Sequence, residues 1–212
     1  MIPITIVDDF LDEPHHLVSL SNRLKYESSP EGWWPGSRSE KLHMINELLY
    51  ENITTRIMGL FQSLHDLQNE EVDCDMSFQK VPAKLHHGWV HNDNCFATGI
   101  LYLNDNPGTS LYTLKKKSVI DETHIITKKK CNLRGYMTEP DKKVQEEFNN
   151  SFQKEVDVKG TYNRLLMFHG NVHHSANSFE AAEGDRLTLV MFFKRIAGEP
   201  MPLERMRAVR KV

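Results

Sequence analysis

The sequence predicts a mainly β chain with flanking helices (α+β), its strands closing into a barrel or sandwich. Three observations carry this. In Arg186–Phe193, Leu187, Leu189, Met191 and Phe193 share one face while Arg186, Thr188, Val190 and Phe192 share the other, so the strand is apolar enough to be buried on both sides. Met76–Val81 alternates as a strand does, and Ile100–Asn104 is a second β-like run closed by a turn signal at Asn104-Asp105-Asn106-Pro107-Gly108. Ile45, Leu48, Leu49, Ile53, Ile57, Leu60, Phe61 and Leu64 recur every three or four residues, which predicts an amphipathic helix along the outside of a sheet.

Composition sets the bounds. A chain of 212 residues and 24.6 kDa holds one full core, so a single domain over 1–212 is expected. Within it, 1–75 reads as an N-terminal strand and helices, 76–195 as the β domain proper with a variable insert at about 113–160, and 196–212 as a tail. A net charge of -3 gives no indication of nucleic-acid binding. The three cysteines, Cys74, Cys95 and Cys131, form no CxxC pair and cannot all pair internally, which points to a reducing compartment. With no cleavable leader and no apolar run of membrane-spanning length, a soluble, cytoplasmic protein without membrane contact is expected.

In chain order, the β-branched run Ile2–Val7 predicts a strand that Asp8-Asp9 ends. Pro14 then opens a helix with Leu17, Leu20 and Leu24 on one face. The segment 28–38, rich in Pro and Gly, reads as a loop. Its Trp33 and Trp34 are expected to cap the core; the alternative is an aromatic loop over a substrate groove. Beyond the Asn104–Gly108 turn, 115–160 is charged and poor in periodicity. It contains a β-like piece at His124-Ile125-Ile126, a short helix at Val144–Phe152, and lysine triplets at 115–117 and 128–130 that read as solvated surface.

The chemistry centres on His91-Asn92-Asp93. An imidazole and a carboxylate two positions apart on extended backbone point the same way and can share one metal ion. In a chain with eleven His the motif alone is weak. It gains weight from the far end, where the apolar run Leu165–His169 leads through a turn to His173-His174-Ser175-Ala176, and Arg186 opens another apolar strand. This is the layout of a site with two His and one carboxylate, which leaves open positions on iron(II), with an arginine clamp for a carboxylate behind it. His173 and His174 point to opposite faces of a strand, so only one can reach the metal. A competing zinc pair, His87 and His91 at helical spacing, is disfavoured by Gly88 and the β-prone Trp89-Val90. An inward Arg186 needs an anion; the alternative is a surface pair with Glu183 or Asp185.

Taken in order, His91-x-Asp93, Ile100-Leu101-Tyr102-Leu103-Asn104, His174-Ser175-Ala176 and Arg186-x-Thr188 resemble the iron(II)- and 2-oxoglutarate-dependent oxygenases, in their prolyl-hydroxylase-like branch. The resemblance spans about Phe78 to Arg195, and Asp8-Asp9-Phe10-Leu11 is similar to the entry of small phage- and bacterial-type members. It implies a double-stranded β-helix (jelly-roll, cupin-like) with the N-terminal helices packed on one outer face. It also implies His91, Asp93 and His174 as iron ligands, and Tyr102, Arg186 and Thr188 as the groups that hold 2-oxoglutarate. A further Tyr that the family often carries ahead of the His-x-Asp is missing here.

The implied activity is a dioxygenase that consumes O2 and 2-oxoglutarate, with ascorbate as a possible reductant, and hydroxylates a protein side chain or small molecule while releasing succinate and CO2. Halogenation is disfavoured because Asp93 fills the carboxylate position. Two other classes stand beside this reading: a non-catalytic cupin-like or β-sandwich metal-binding module, and a hydrolytic zinc enzyme. An intact Arg186 argues against both, since neither needs a carboxylate clamp.

Overall fold

The computed structural model describes residues 4–62, 72–115 and 121–196. It begins with strand β1 (Ile4–Val7), helix α1 (His15–Ser21), the short strands β2 (Glu27–Ser28) and β3 (Ser37–Lys41), and helices α2 (Leu42–Ile45) and α3 (Glu47–Gln62). Strands β4 (Val72–Val81), β5 (Ala97–Tyr102) and β6 (Asn106–Leu114) follow, then helices α4 (Glu122–Arg134) and α5 (Glu139–Asn149). Strands β7 (Phe152–Gly160), β8 (Leu165–His169), β9 (His173–Ala176) and β10 (Arg186–Ile196) complete it.

The strands form two antiparallel sheets, one of seven strands in the order β1-β8-β5-β10-β4-β3-β2 and one of three in the order β7-β6-β9. β10 lies between β5 and β4 in the middle of the large sheet, and its two faces are apolar because one is covered by the N-terminal helices and the other faces the interior. Its Leu187, Leu189, Met191 and Phe193 join Leu101, Met76 and Phe78 against Leu17, Leu42, Ile53 and Ile57 of the helices. That layer buries the outer face of the large sheet beneath the N-terminal helices, as expected. The opposite face packs Ile100, Tyr102, Leu166 and Phe168 against Leu111 and Val158 of the small sheet. Tyr102 Oη donates to Thr109 Oγ1 at 2.8 Å, tying β5 in one sheet to β6 in the other. The arrangement is the jelly-roll, cupin-like fold that the resemblance implies, with five helices among the described residues.

Several local expectations are corrected. The long N-terminal helix is broken at Asn46, whose extended backbone ends α2 and whose Oδ1 accepts from Leu49 N at 3.1 Å to start α3. Leu48 is consequently 79% exposed and off the apolar face, while Leu64 lies outside the described residues. The loop predicted over 28–38 gives way to strand β3 at Ser37, which pairs with β4. His124-Ile125-Ile126 is helical, inside α4. Asp121 caps the start of that helix through Thr123 N at 2.9 Å, Gly135 ends it with φ +76, and these two signals outweigh the β preference of two isoleucines. The helix read at Val144–Phe152 is α5, shifted toward Thr138, where Thr138 and Asp141 form a capping box ahead of a proline start. Phe152 instead opens β7, which pairs with β6, so the stretch between these strands is a two-helix excursion from a hairpin. The tail from 197 lies outside the described residues. Among the described residues no helix is long and apolar enough to cross a membrane.

Candidate functional site

The segment leading to His91 is not helical. It runs extended beside β9, with His91 N donating to His174 O at 3.0 Å and His174 N to His91 O at 2.7 Å. Paired residues in an antiparallel bridge carry their side chains on the same face, so the two imidazoles meet with ring centroids 4.3 Å apart. Asp93 arrives on the following turn, fixed by its own N–H to Gly170 O at 2.8 Å. Gly170 is required there, since a Cβ would lie 2.1 Å from Cys95 O. His91, Asp93 and His174 each present a ligand atom, all within 4.8 Å of one another. The carboxylate lies 3.8 Å from His91 Nε2 and 3.4 Å from His174 Nε2.

The hydrogen bonds around these groups prepare them for a cation. His91 Nδ1 is 2.8 Å from Trp89 O and His174 Nδ1 is 3.0 Å from Val172 O. A carbonyl accepts only, so Nδ1 carries the proton in both rings and Nε2 offers a lone pair toward Asp93. Burial, then the neighbouring His174 charge, drives His91 well below the ordinary imidazole range. Burial likewise lowers His174, with Asp93 opposing it. Both rings are therefore neutral, the form a metal needs. Thr98 Oγ1 donates to Asp93 Oδ2 at 2.6 Å and orients the carboxylate. His173 faces the other way, its ring 5.0 Å from that of Phe152. His169, the third histidine of this stretch, is buried beside Phe96 and accepts from Asn171 N.

Arg186 opens β10 on the interior face, and the register places Thr188 directly opposite Tyr102 of β5. The three side chains are buried, Arg186 at 4% and the other two at 0% exposure. Arg186 makes no ion pair among the described residues, so the alternative of a surface pair with Glu183 or Asp185 does not hold. Its Nε donates to Asn106 Oδ1 at 3.3 Å, and its guanidinium sits 5.6 Å from the Tyr102 ring centroid. Burial lowers its pKa against the opposing pull of Tyr102, and Thr188 Oγ1 is buried with no hydrogen-bond partner. A buried cation and an orphaned hydroxyl on one face call for an anion that accepts from both.

Arg186 and all three candidate ligands line one cavity of about 370 Å³. Trp33 and Trp34 line it as well, so the expectation that they cap the core is corrected. Trp33 is 54% exposed, and the loop is strapped to α4 by Asn132 Nδ2 donating to Gly32 O at 2.8 Å and by Lys129 Nζ, 3.4 Å from the centre of the Trp33 ring. The 128–130 lysines are likewise corrected, because Lys128 lines the cavity while Lys130 is exposed. The sequence reading also missed Arg38, on β3 between β4 and the short edge strand β2, and the bracing by α5. Gln145 Nε2 donates to His87 O at 3.0 Å, and Asn149 bonds both Gly88 O and Val90 N, holding the approach to His91.

The chain belongs to the family of unknown function DUF6445, whose profile matches residues 1–193. No curated protein matches the sequence. Solved structures similar in fold include the following three. The non-heme alpha-ketoglutarate-dependent epimerase SnoN from nogalamycin biosynthesis is 14% identical with a TM-score of 0.56, covering 91% of this chain and 77% of its own. HygX from Streptomyces hygroscopicus, with nickel, 2-oxoglutarate and hygromycin B bound, is 12% identical with a TM-score of 0.57, covering 91% and 83%. EvdO2 from Micromonospora carbonacea var. aurantiaca, complexed with 2-oxoglutarate, is 15% identical with a TM-score of 0.57, covering 96% and 91%. The fold is thus that of the iron(II)/2-oxoglutarate oxygenases. The comparisons carry the fold and not the prolyl-hydroxylase-like branch within it.

Proposed function

We propose that this chain is an iron(II)- and 2-oxoglutarate-dependent dioxygenase that hydroxylates a protein side chain or small molecule. One observation carries the reading: a two-His, one-carboxylate cluster and a buried arginine without an acid open onto the same cavity. The donor set, two neutral imidazoles and a carboxylate, suits iron(II). The orphaned Thr188 hydroxyl and Arg186 guanidinium suit the distal carboxylate of 2-oxoglutarate.

On this reading His91 and His174 hold the metal through Nε2 and Asp93 adds a negative charge, held in orientation by Thr98. Arg186 binds the distal carboxylate, with Tyr102 and Thr188 as hydroxyl partners. Burial pushes the Tyr102 phenol up, against the nearby Arg186 charge, so it stays protonated and able to donate. Bound iron and 2-oxoglutarate supply the oxidising chemistry, with O2 consumed and succinate and CO2 released. The protein's part is positioning and exclusion of water, and no side chain need act as a general base.

The test needs no knowledge of the substrate. Aerobic incubation with iron(II), ascorbate and 2-oxoglutarate, followed by NMR, should show slow accumulation of succinate that is lost in Asp93→Ala. Silence together with no detectable 2-oxoglutarate binding would overturn the reading.

A further inference from the structure

The cavity is also lined by Arg38 of β3, Lys128 of α4 and Trp34, to none of which the proposed function gives a role. The Arg38 guanidinium lies over the rings of Trp34 and Phe192, 4.8 and 5.1 Å from their centroids, and its Nε is buried without a hydrogen-bond partner. Lys128 makes no ion pair or hydrogen bond among the described residues, although Lys129 beside it engages both Trp33 and, at 3.9 Å, Glu31. Trp34 Nε1 is a third donor, buried and unpaired. Burial pushes Arg38 down to about 10 against the opposing Asp93 charge, so it remains a cation at neutral pH. Burial lowers Lys128 as well, again opposed by Asp93.

Charge neutrality in the cavity gives the argument. Asp93 is the one acid among the described residues that line it, and Lys194 at its edge is already paired with Asp75 at 2.9 Å. A divalent metal and Arg186 carry three positive charges, and Asp93 with the two carboxylates of 2-oxoglutarate carries three negative. Arg38 and Lys128 are left over; both line the cavity half-buried, neither has an ion pair among the described residues, and a partly desolvated cation favours a counter-charge.

We propose that the primary substrate presents an oxyanion, a carboxylate or a phosphate ester, that Arg38 and Lys128 bind. A fork of guanidinium donors in contact with two aromatic rings recognises such a group with less loss of side-chain freedom than an unsupported arginine. A lysine opposite adds charge without imposing geometry. The substrate would therefore be an acidic molecule or an acidic side chain, turned so that a neighbouring C–H faces the metal. This rests on the oxygenase reading for its charge count, and the following experiment separates the two.

Manganese(II) replaces iron so that nothing turns over, and calorimetry first establishes whether the protein binds manganese and 2-oxoglutarate. The saturated complex is then titrated with benzoate, phenyl phosphate, benzyl alcohol and benzylammonium, following line broadening of each probe's proton spectrum by the manganese. One or both anions should bind roughly tenfold or more tightly than the neutral and cationic probes. That preference should fall in Arg38→Gln and Lys128→Gln and be partly kept in Arg38→Lys; the stronger anion identifies the oxyanion type. Equal binding of all four probes, an anion preference intact in both Gln variants, or displacement of the anion by excess 2-oxoglutarate would each overturn the proposal. If manganese or 2-oxoglutarate does not bind, the oxygenase reading fails by itself. A tryptophan-fluorescence titration of the metal-free protein with the same probes and variants then decides the anion site. Lys128 is partly exposed, so its Gln variant is expected to fold even if Arg38→Gln does not.

Discussion

His91 and His174 are held in register by their own backbones, each donating its N–H to the other's carbonyl, at 3.0 and 2.7 Å. A slip of one residue would turn His173 inward and His174 outward. His174→Ala should therefore lose most of the bound metal while His173→Ala keeps it, read by metal analysis of the purified variants. Equal metal in both would place the second imidazole elsewhere.

On the proposed reading, Arg186 sets affinity for 2-oxoglutarate. Arg186→Lys keeps the charge but loses the fork, and should weaken cosubstrate binding by ~1 to 3 kcal/mol in calorimetry with iron affinity unchanged. Tyr102→Phe should cost about 1 kcal/mol, since one hydroxyl is removed. Undiminished cosubstrate binding by Arg186→Ala would move the clamp off β10.

Thr188 gives a prediction of opposite signs. Its hydroxyl is buried without a partner, so Thr188→Val should leave the empty protein as stable or about 1 kcal/mol more stable while weakening 2-oxoglutarate binding. Thermal melts with and without the cosubstrate check both. A destabilised empty protein would mean that the hydroxyl already has a partner in solution.

Asp141 predicts an acid-sensitive insert. Burial alone would raise its carboxyl, but hydrogen bonds from the Thr138 hydroxyl and backbone N–H and from Arg134 outweigh that and hold it at about 2. A depressed carboxylate stabilises the fold above its ordinary value of 3.8, and this contribution is lost as pH falls from 3.8 toward 2. Asp141→Asn should be less stable at neutral pH, by about 1 kcal/mol for the lost cap. Its unfolding free energy should also vary less than the parent's across that acid window; identical pH profiles would exclude the capping role.

The strap over the cavity depends on Gly32, which has φ +72 and whose Cβ would lie 2.3 Å from Lys129 O. Gly32→Ala should cost about 1 to 3 kcal/mol and free Trp33 from Lys129, raising the accessibility of tryptophan to an ionic quencher. Unchanged stability and quenching would show that loop and helix are not tied.

The β framework was legible because β10, β5 and β4 have two burial environments, and the alternation of Leu187, Leu189 and Met191 against Arg186, Thr188 and Val190 records both. The same alternation puts Arg186 and Thr188 on one face of β10, with Thr188 opposite Tyr102, and turns His174 rather than His173 toward the cavity that His91, Asp93 and Arg186 line. The insert was harder to read. Two isoleucines suggested a strand where the caps at Asp121 and Gly135 and the Thr138–Asp141 box specify helices, so local stop and start signals carried more than propensity. Arg38 and Lys128 left no trace. A charged residue in a glycine-rich stretch and one lysine of three look solvated until the tertiary fold turns them inward.

The central claim is a single metal site built from two histidines and Asp93. Its most direct test is anaerobic titration of the purified protein with iron(II), followed by quantitation of bound metal in the parent and in Asp93→Ala. One equivalent in the parent and loss of most of it in the variant is the expected result, because the substitution removes both a bond and the charge that offsets the dication. Full iron content in Asp93→Ala, or none in the parent, would contradict the account.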